Sequence, residues 1–274
     1  MIRALTLLFV LSGCDRVYGL DRAPADAAPD AAFDADPTCH PVGHDEDHDC
    51  IPDDLDTCPG IPNDQTRDSD KDGVGDACDP FPTMDGDRLL EFVSFAEPDA
   101  AQRWIPSDPT WTYGSDGDSL HYGGTTFGTY GVMKDSHPPL PLPFTAIVHV
   151  VVEHIPAEHA QVGVIAAVVG LNTGVTCSLI RPAPGAGDDF AQMYQVSTNQ
   201  ANAQVPALSD GVRLEIRFTY DPMQKKKATC DAREDTGGGA SPSIPLTSTP
   251  PAGPLGFEAN GAMFRVEDAA FYTR

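Results

Sequence analysis

Basic residues are scarce in this chain. Its 274 residues carry 17 Lys and Arg against 41 Asp and Glu, a formal net charge of −24. Phosphate backbones are held by clustered Lys and Arg, so nucleic acid is excluded as a partner. Long apolar runs are missing too: beyond the amino terminus, nothing reaches the ~18 apolar residues a spanning helix needs. No long segment repeats its apolar residues at the helical period. Catalytic motifs are equally thin, with no HExxH, no phosphate-binding glycine loop and no GxSxG elbow. What is present is a chain 41% hydrophobic and 21% charged, too apolar as a whole for a disordered polyanion.

The negative charge is unevenly placed. Residues 1–14 carry +1, residues 15–85 carry −16 and residues 86–274 carry −9. The densest part, 45–79, holds 13 acidic and 2 basic residues. Such a run must be either solvated or neutralised by cations.

Met1-Ile2-Arg3 followed by Ala4–Leu11 is a short positive region and an apolar region, the pattern of an export signal. It ends in Leu11-Ser12-Gly13-Cys14, which resembles the lipobox of bacterial lipoproteins. The resemblance implies a signal peptide over 1–13, acylation of Cys14 and attachment to membrane through that lipid. It places the protein outside the cytoplasm, anchored in the cell envelope at the outer membrane or cell surface. Residues 14–38 follow as an Ala/Asp/Pro linker with few large apolar side chains, expected to be disordered.

Setting Cys14 aside leaves Cys39, Cys50, Cys58, Cys78, Cys177 and Cys230. An even number in an exported chain reads as a disulfide set, formally with 15 connectivities. Pairing of sequence neighbours gives Cys39–Cys50, Cys58–Cys78 and Cys177–Cys230. The last closes a loop worth about 4 kcal/mol on the chain-entropy account.

Aligning Asp45 on Asp68 gives two segments of one design, DEDHDCIPDDLD and DSDKDGVGDACD. Aspartates fall at positions 1, 3, 5, 9 and 12: Asp45, Asp47, Asp49, Asp53 and Asp56, then Asp68, Asp70, Asp72, Asp76 and Asp79. Calcium takes six to eight oxygens, which a 12-residue loop supplies from those positions and from the backbone carbonyl at position 7. Position 7 is Ile51 or Val74. Position 6 needs a sharp turn; Gly73 provides it in the second loop, while Cys50 stands there in the first. Pro59, Gly60 and Pro62 forbid a helix after the first loop, which excludes EF-hand and dockerin arrangements. Zinc held by His40, His44, His48, Cys39 and Cys50 fits no standard four-ligand spacing and suits an oxidising compartment poorly.

Asp45 through Asp79, with Cys58-Pro59, Pro62-Asn63, Gly73, Gly75 and Cys78-Asp79, resembles thrombospondin type 3 repeats. The resemblance implies a Ca²⁺-ordered segment over 39–85 with little regular secondary structure, in which Cys58 bridges to Cys78. The departures are Cys50 in place of glycine and Gln65 one residue early. Segment 45–79 carries −11, so two Ca²⁺ still leave −7, and Asp54 or Asp64 are available for further ions.

Residues 86–274 read as one all-β domain, a sandwich or jelly roll. In Val212–Tyr220 apolar side chains alternate strictly with Arg213, Glu215 and Arg217. Residues 144–154 alternate likewise, burying Ala146, Val148, Val150 and Val152. Strands are predicted also at 110–113, 118–123, 129–134, 161–171, 174–181, 192–198, 226–232, 254–259 and 262–273. The closing segment Gly253–Tyr272 resembles the end of concanavalin A-like and laminin-G-like domains, where a last strand returns beside the first. That implies a sandwich that binds glycan or protein, in adhesion for example, sometimes with a hydrolase site. The E-x-D-x-x-E row of jelly-roll glycosidases is absent, and Glu267 and Asp268, being adjacent, are expected on opposite faces. His149 and Glu153 are expected on a solvated outer face, and Lys225–Lys227 at a hairpin turn. Of the aromatics Trp104, Trp111, Tyr113, Tyr122, Phe127 and Tyr130, core packing is the expectation for each, with sugar stacking the alternative. The chain thus reads as a calcium-binding envelope lipoprotein presenting a β-sandwich to a glycan or protein. The alternatives are an exported polysaccharide hydrolase and a purely structural envelope protein.

Overall fold

The computed structural model describes residues 42–62, 67–96, 103–106, 109–115, 117–124, 130–135, 142–156, 159–166, 174–195, 199–221, 226–234, 238–246 and 254–274. The expected signal peptide, Cys14, the linker, Cys39, His40, Asp64, Gln65, Phe127 and Lys225 lie outside these residues. The described residues belong to one compact unit, Pro41–Arg274.

Among the described residues, each segment predicted to be a strand contains one, although 167–171 and 196–198 of the predicted strands lie outside them. Residues 42–87 contain turns and bends but no described strand. From there the strands are β1 (Arg88–Val93), β2 (Trp104–Pro106), β3 (Trp111–Tyr113), β4 (Leu120–Tyr122), β5 (Tyr130–Asp135) and β6 (Phe144–His154). Next come β7 (Ala160–Ala166), β8 (Val175–Arg181), β9 (Phe190–Gln195), β10 (Asn199–Gln204) and β11 (Arg213–Asp221). The last are β12 (Lys227–Glu234), β13 (Gly239–Ala240), β14 (Ser243–Pro245), β15 (Gly256–Asn260) and β16 (Met263–Thr273). β1, β2, β10, β13 and β14 were not expected. Arg88–Val93 lacks clean alternation, and Asn199–Gln204 has only Ala201 and Ala203 among four Asn and Gln residues, as an edge strand can.

Two antiparallel sheets form the sandwich. The first runs β13-β12-β11-β6-β16-β4-β3, with β1 beside β16 and β14 beside β12; the second runs β10-β9-β8-β7-β15-β5-β2. The closing strand pairs with both β6 and β1, the return expected for it. Between the sheets Val148, Val150, Ile216 and Phe218 meet Val162, Val164, Leu179 and Met193 in one core. Cys177 of β8 is disulfide-bonded to Cys230 of β12, so this bridge fastens one sheet to the other, Cα to Cα 5.1 Å. Trp104, Trp111 and Tyr122 are core residues, with Trp104 stacked on Phe257 at 4.7 Å.

Two surface expectations are corrected. A bulge between Val266 and Asp268 shifts the register of β16 against β6. Val266 and Ala269 both enter the core, so Glu267 and Asp268 share the outer face, and Arg213 contacts both. His149 does lie on that outer face, but it is 3% exposed rather than solvated. The reason is that the outer face of β6 and β16 is covered. Ile147, Ala270 and Tyr272 pack against Cys58, Val74 and Cys78 of the repeat segment, with Leu89 and Phe92 of β1 alongside.

Candidate metal centre

The two acidic loops close by the same internal hydrogen bonds. The amide of position 6 donates to the carboxylate of position 1, Cys50 N to Asp45 Oδ2 at 3.0 Å and Gly73 N to Asp68 Oδ2 at 3.0 Å. The amide of position 7 donates to position 5, Ile51 N to Asp49 Oδ1 and Val74 N to Asp72 Oδ1, both at 3.0 Å. The amide of position 2 donates to position 9, Glu46 N to Asp53 Oδ1 at 2.9 Å and Ser69 N to Asp76 Oδ1 at 2.8 Å. Positions 4 and 6 are left-handed in both: His48 at φ 63° and Cys50 at 78°, Lys71 at 70° and Gly73 at 99°. Cys50 therefore holds a conformation that glycine adopts at less cost. It is disulfide-bonded, which also removes its thiolate from any zinc set. Its expected partner Cys39 lies outside the described residues.

This folding gathers Asp45, Asp47 and Asp49 so that one oxygen of each lies within 4.8 Å of the others, and does the same for Asp68, Asp70 and Asp72. Positions 9 are used differently. Asp53 accepts from Glu46 N and sits 2.9 Å from His44 Nδ1; Asp76 accepts from Ser69 N and Oγ and pairs with Arg67. The Ser69 bonds hold the Asp76 carboxyl below its usual range. Position 12 differs between loops. Asp56 accepts from Cys58 N at 2.7 Å, whereas Asp79 meets Asp72 and the buried Asp87 in a third cluster within 4.8 Å. Asp87 was not singled out in the sequence. It lies 23 residues after Asp64, which is the repeat period, and that spacing was the available signal. Asp54 is exposed.

The clusters fit a cation on their own chemistry. Asp45 Oδ1, Asp47 Oδ2, both carboxylate oxygens of Asp70, Asp79 Oδ2 and Asp87 Oδ2 are buried without a hydrogen-bond partner among the described residues. A desolvated anionic oxygen left unpaired costs several kcal/mol, which a bound divalent ion removes. Without metal, burial and then the neighbouring Asp49 push the Asp47 carboxyl up to about 8. Burial and Asp79 push Asp87 up to about 7, and burial raises Asp79 as well. Oxygen-only ligands at flexible spacing suit calcium, with Asp45, Asp47 and Asp49, and Asp68, Asp70, Asp72, Asp79 and Asp87, positioned to hold it. Ile51 is half-buried, and Val74, 1% exposed, pins the second loop to the hydrophobic seat.

That seat is tightly made. Cys58 is disulfide-bonded to Cys78. A Cβ at Gly75 would stand 2.8 Å from Cys58 Sγ, and one at Gly60 would stand 2.7 Å from Asp268 Oδ1. Beneath the repeats His149 Nδ1 lies 2.8 Å from each oxygen of Asp268. At the rim, His44 lies between Asp53 and Asp118; hydrogen bonding to Asp118, then to Asp53, pushes its imidazole up to about 11. Burial raises the Glu46 carboxyl well above its usual range.

The model of the thrombospondin type 3 repeat matches residues 38–66 and 67–89. This is the expected motif, found twice in tandem. No curated protein matches the chain. Among solved structures, the sandwich resembles a legume lectin-like domain from Entamoeba histolytica at 13% identity, TM-score 0.50, covering 68% of this chain and 98% of that one. It resembles a Lotus tetragonolobus seed lectin at 14% identity and TM-score 0.52, covering 67% and 97% respectively. The VIP36 exoplasmic/lumenal domain, in a form bound to Ca²⁺ and Man2, aligns at 7% identity and TM-score 0.51, covering 67% of this chain and 87% of that chain. At these identities the likeness establishes the fold, a legume-lectin-like β-sandwich.

One open feature adjoins the repeats. Pro80 and Phe81 line an open groove together with Arg217, Asp221, Lys227 and Asp231 of the outer face of β11 and β12, among others. Phe81 N donates to Asp79 Oδ1 at 2.6 Å, and Arg217 Nη1 reaches Asp79 O at 3.5 Å.

Proposed function

We propose that this protein is a calcium-binding, exported lipoprotein whose lectin-like sandwich recognises a glycan in the groove beside Phe81. One observation carries the reading: the aromatic wall of the groove is set by Asp79, position 12 of the second calcium loop. An aromatic face over a floor of carboxylates and cations is the chemistry that holds a sugar ring, by stacking and by hydrogen bonds to hydroxyls. The lectin fold, and the mannose-bound state of the VIP36 domain that shares it, support a carbohydrate ligand. Calcium ordering of the loop makes recognition calcium-dependent. The lipid on Cys14 and the linker over 14–38 would hold the sandwich away from the membrane.

A glycan array probed with the full-length protein tests this. Binding in millimolar calcium that is lost on chelation and in Phe81→Ala supports the reading. Binding indifferent to both sinks the groove assignment, and turnover of a bound polysaccharide would favour the hydrolase alternative. Metabolic labelling with palmitate, expected in the native chain and absent in Cys14→Ala, tests the anchor.

A further inference from the structure

The first repeat touches the sandwich through a cluster separate from the carboxylate triads of the calcium loops. His44 precedes loop 1, Glu46 is its second residue, and Asp118 lies in the turn between β3 and β4. One ligating atom of each lies within 4.8 Å of the other two. His44 Nδ1 is 2.9 Å from Asp53 Oδ2, and Nε2 is 3.2 Å from Asp118 Oδ2. Donation from Nδ1 to Asp53 fixes the ring and aims the Nε2 lone pair at an anionic oxygen. Two electron pairs so placed need a cation with them, either a proton or a metal.

Glu46 decides between these. Its side chain is 10% exposed, and Oε2 is buried with no hydrogen-bond partner among the described residues, 3.9 Å from His44 Nδ1. A proton on Nε2 serves Asp118 but leaves Glu46 Oε2 unmatched. A divalent ion serves His44, Glu46 and Asp118 together.

We infer that His44, Glu46 and Asp118 bind a divalent transition metal of the zinc type, joining the first repeat to the β3–β4 turn. The imidazole nitrogen separates this site from calcium, which prefers oxygen throughout. Three protein ligands with water completing the shell is a known zinc arrangement, and Asp53 is placed as the carboxylate that orients the histidine. His44 and Asp118 are 27% and 32% exposed, which leaves an entry route. The site shares Glu46 and Asp53 with the backbone of the first loop but none of the Asp45, Asp47 and Asp49 triad, and it is separate from the groove beside Phe81.

The test uses full-length protein in millimolar calcium, titrated with Co²⁺ as a spectroscopic substitute for zinc. One visibly absorbing Co²⁺ per chain, displaced by Zn²⁺, is expected. Binding should weaken at least ~10-fold in Asp118→Asn and in His44→Gln, while the calcium isotherm is kept. X-ray absorption of the zinc-loaded native protein should show one imidazole in an otherwise oxygen shell, a readout independent of whether the variants fold. No cobalt binding in the native chain, equal binding in both variants, or an all-oxygen shell overturns the inference.

Discussion

Gly75 is where the repeat and its disulfide come closest, and a methyl group there has no room. Its Cβ would lie 2.8 Å from Cys58 Sγ and 2.9 Å from Thr57 Oγ1, and a disulfide sulfur cannot swing aside as a flexible side chain can. Gly75→Ala should therefore destabilise the protein by about 1–3 kcal/mol, measured by urea unfolding in saturating calcium. Gly73→Ala should be milder in packing, since nothing lies within 4 Å, yet strained by the left-handed φ of 99°. Glu258 gives a second prediction at this scale. It is 2% exposed and accepts from Ser178 Oγ and Gln161 Nε2, both at 2.5 Å. Burial is the largest influence and raises its carboxyl above the usual 4.5. The folded protein then keeps a proton that the unfolded chain releases, so this residue lowers stability as pH rises above about 4.5. Glu258→Gln should leave stability at pH 4 unchanged and raise it at pH 8. A uniform shift across pH in urea titrations would contradict the assignment.

The element that matters is the pair of loops docked on β6 and β16. Asp70 is the most telling residue, because both its carboxylate oxygens are buried without a hydrogen-bond partner among the described residues. Asp70→Ala should abolish the calcium heat of the second loop in calorimetry, and Asp87→Asn should weaken it. Proton and calcium compete for the same oxygens. Without calcium, Asp47 at about 8 and Asp87 at about 7 are both raised, so folding favours their protonated forms. Stability of the calcium-free protein should then fall from pH 5.5 to 8.5, while the calcium-loaded protein should lose little. Thermal melts in chelator and in millimolar calcium decide this. A calcium-free Tm that rises with pH would refute the protonation of these groups.

On the scale of the whole molecule, the sandwich is fastened twice. Cys177–Cys230 joins the two sheets from within, and the Cys58–Cys78 region covers the outer face of one of them. Replacing Cys177 and Cys230 together by alanine should cost about 2–5 kcal/mol, read from urea midpoints. Because Ile147, Ala270 and Tyr272 lie beneath the repeats, removing calcium should lower the unfolding temperature of the sandwich as well as that of the loops. Two independent transitions by calorimetry, with the sandwich unmoved by calcium, would argue against that coupling.

Local pattern made much of this legible. Alternation at 144–154 and 212–220 located β6 and β11, because in a strand successive side chains point to opposite faces of the sheet. The aspartate register located both loops, because a chain wrapped around a small cation must present oxygens at fixed intervals. The internal hydrogen bonds then placed positions 1, 3 and 5 together in each loop. Other features needed the third dimension. The bulge in β16 that sets Glu267 and Asp268 on one face leaves no mark in residue type. His149 looked solvated because what buries it is about 90 residues earlier in the chain, and pairing with Asp268 exists only once β6 and β16 adjoin. Asp118 joins His44 and Glu46 across more than 70 residues for the same reason. By itself the sequence determined composition, repeat register and strand character, all of which depend on neighbours within a few residues. Which face the repeats cover, which carboxylates meet and which oxygens go unpaired were decided by tertiary structure, because desolvation is a property of what packs above a residue rather than of what lies beside it.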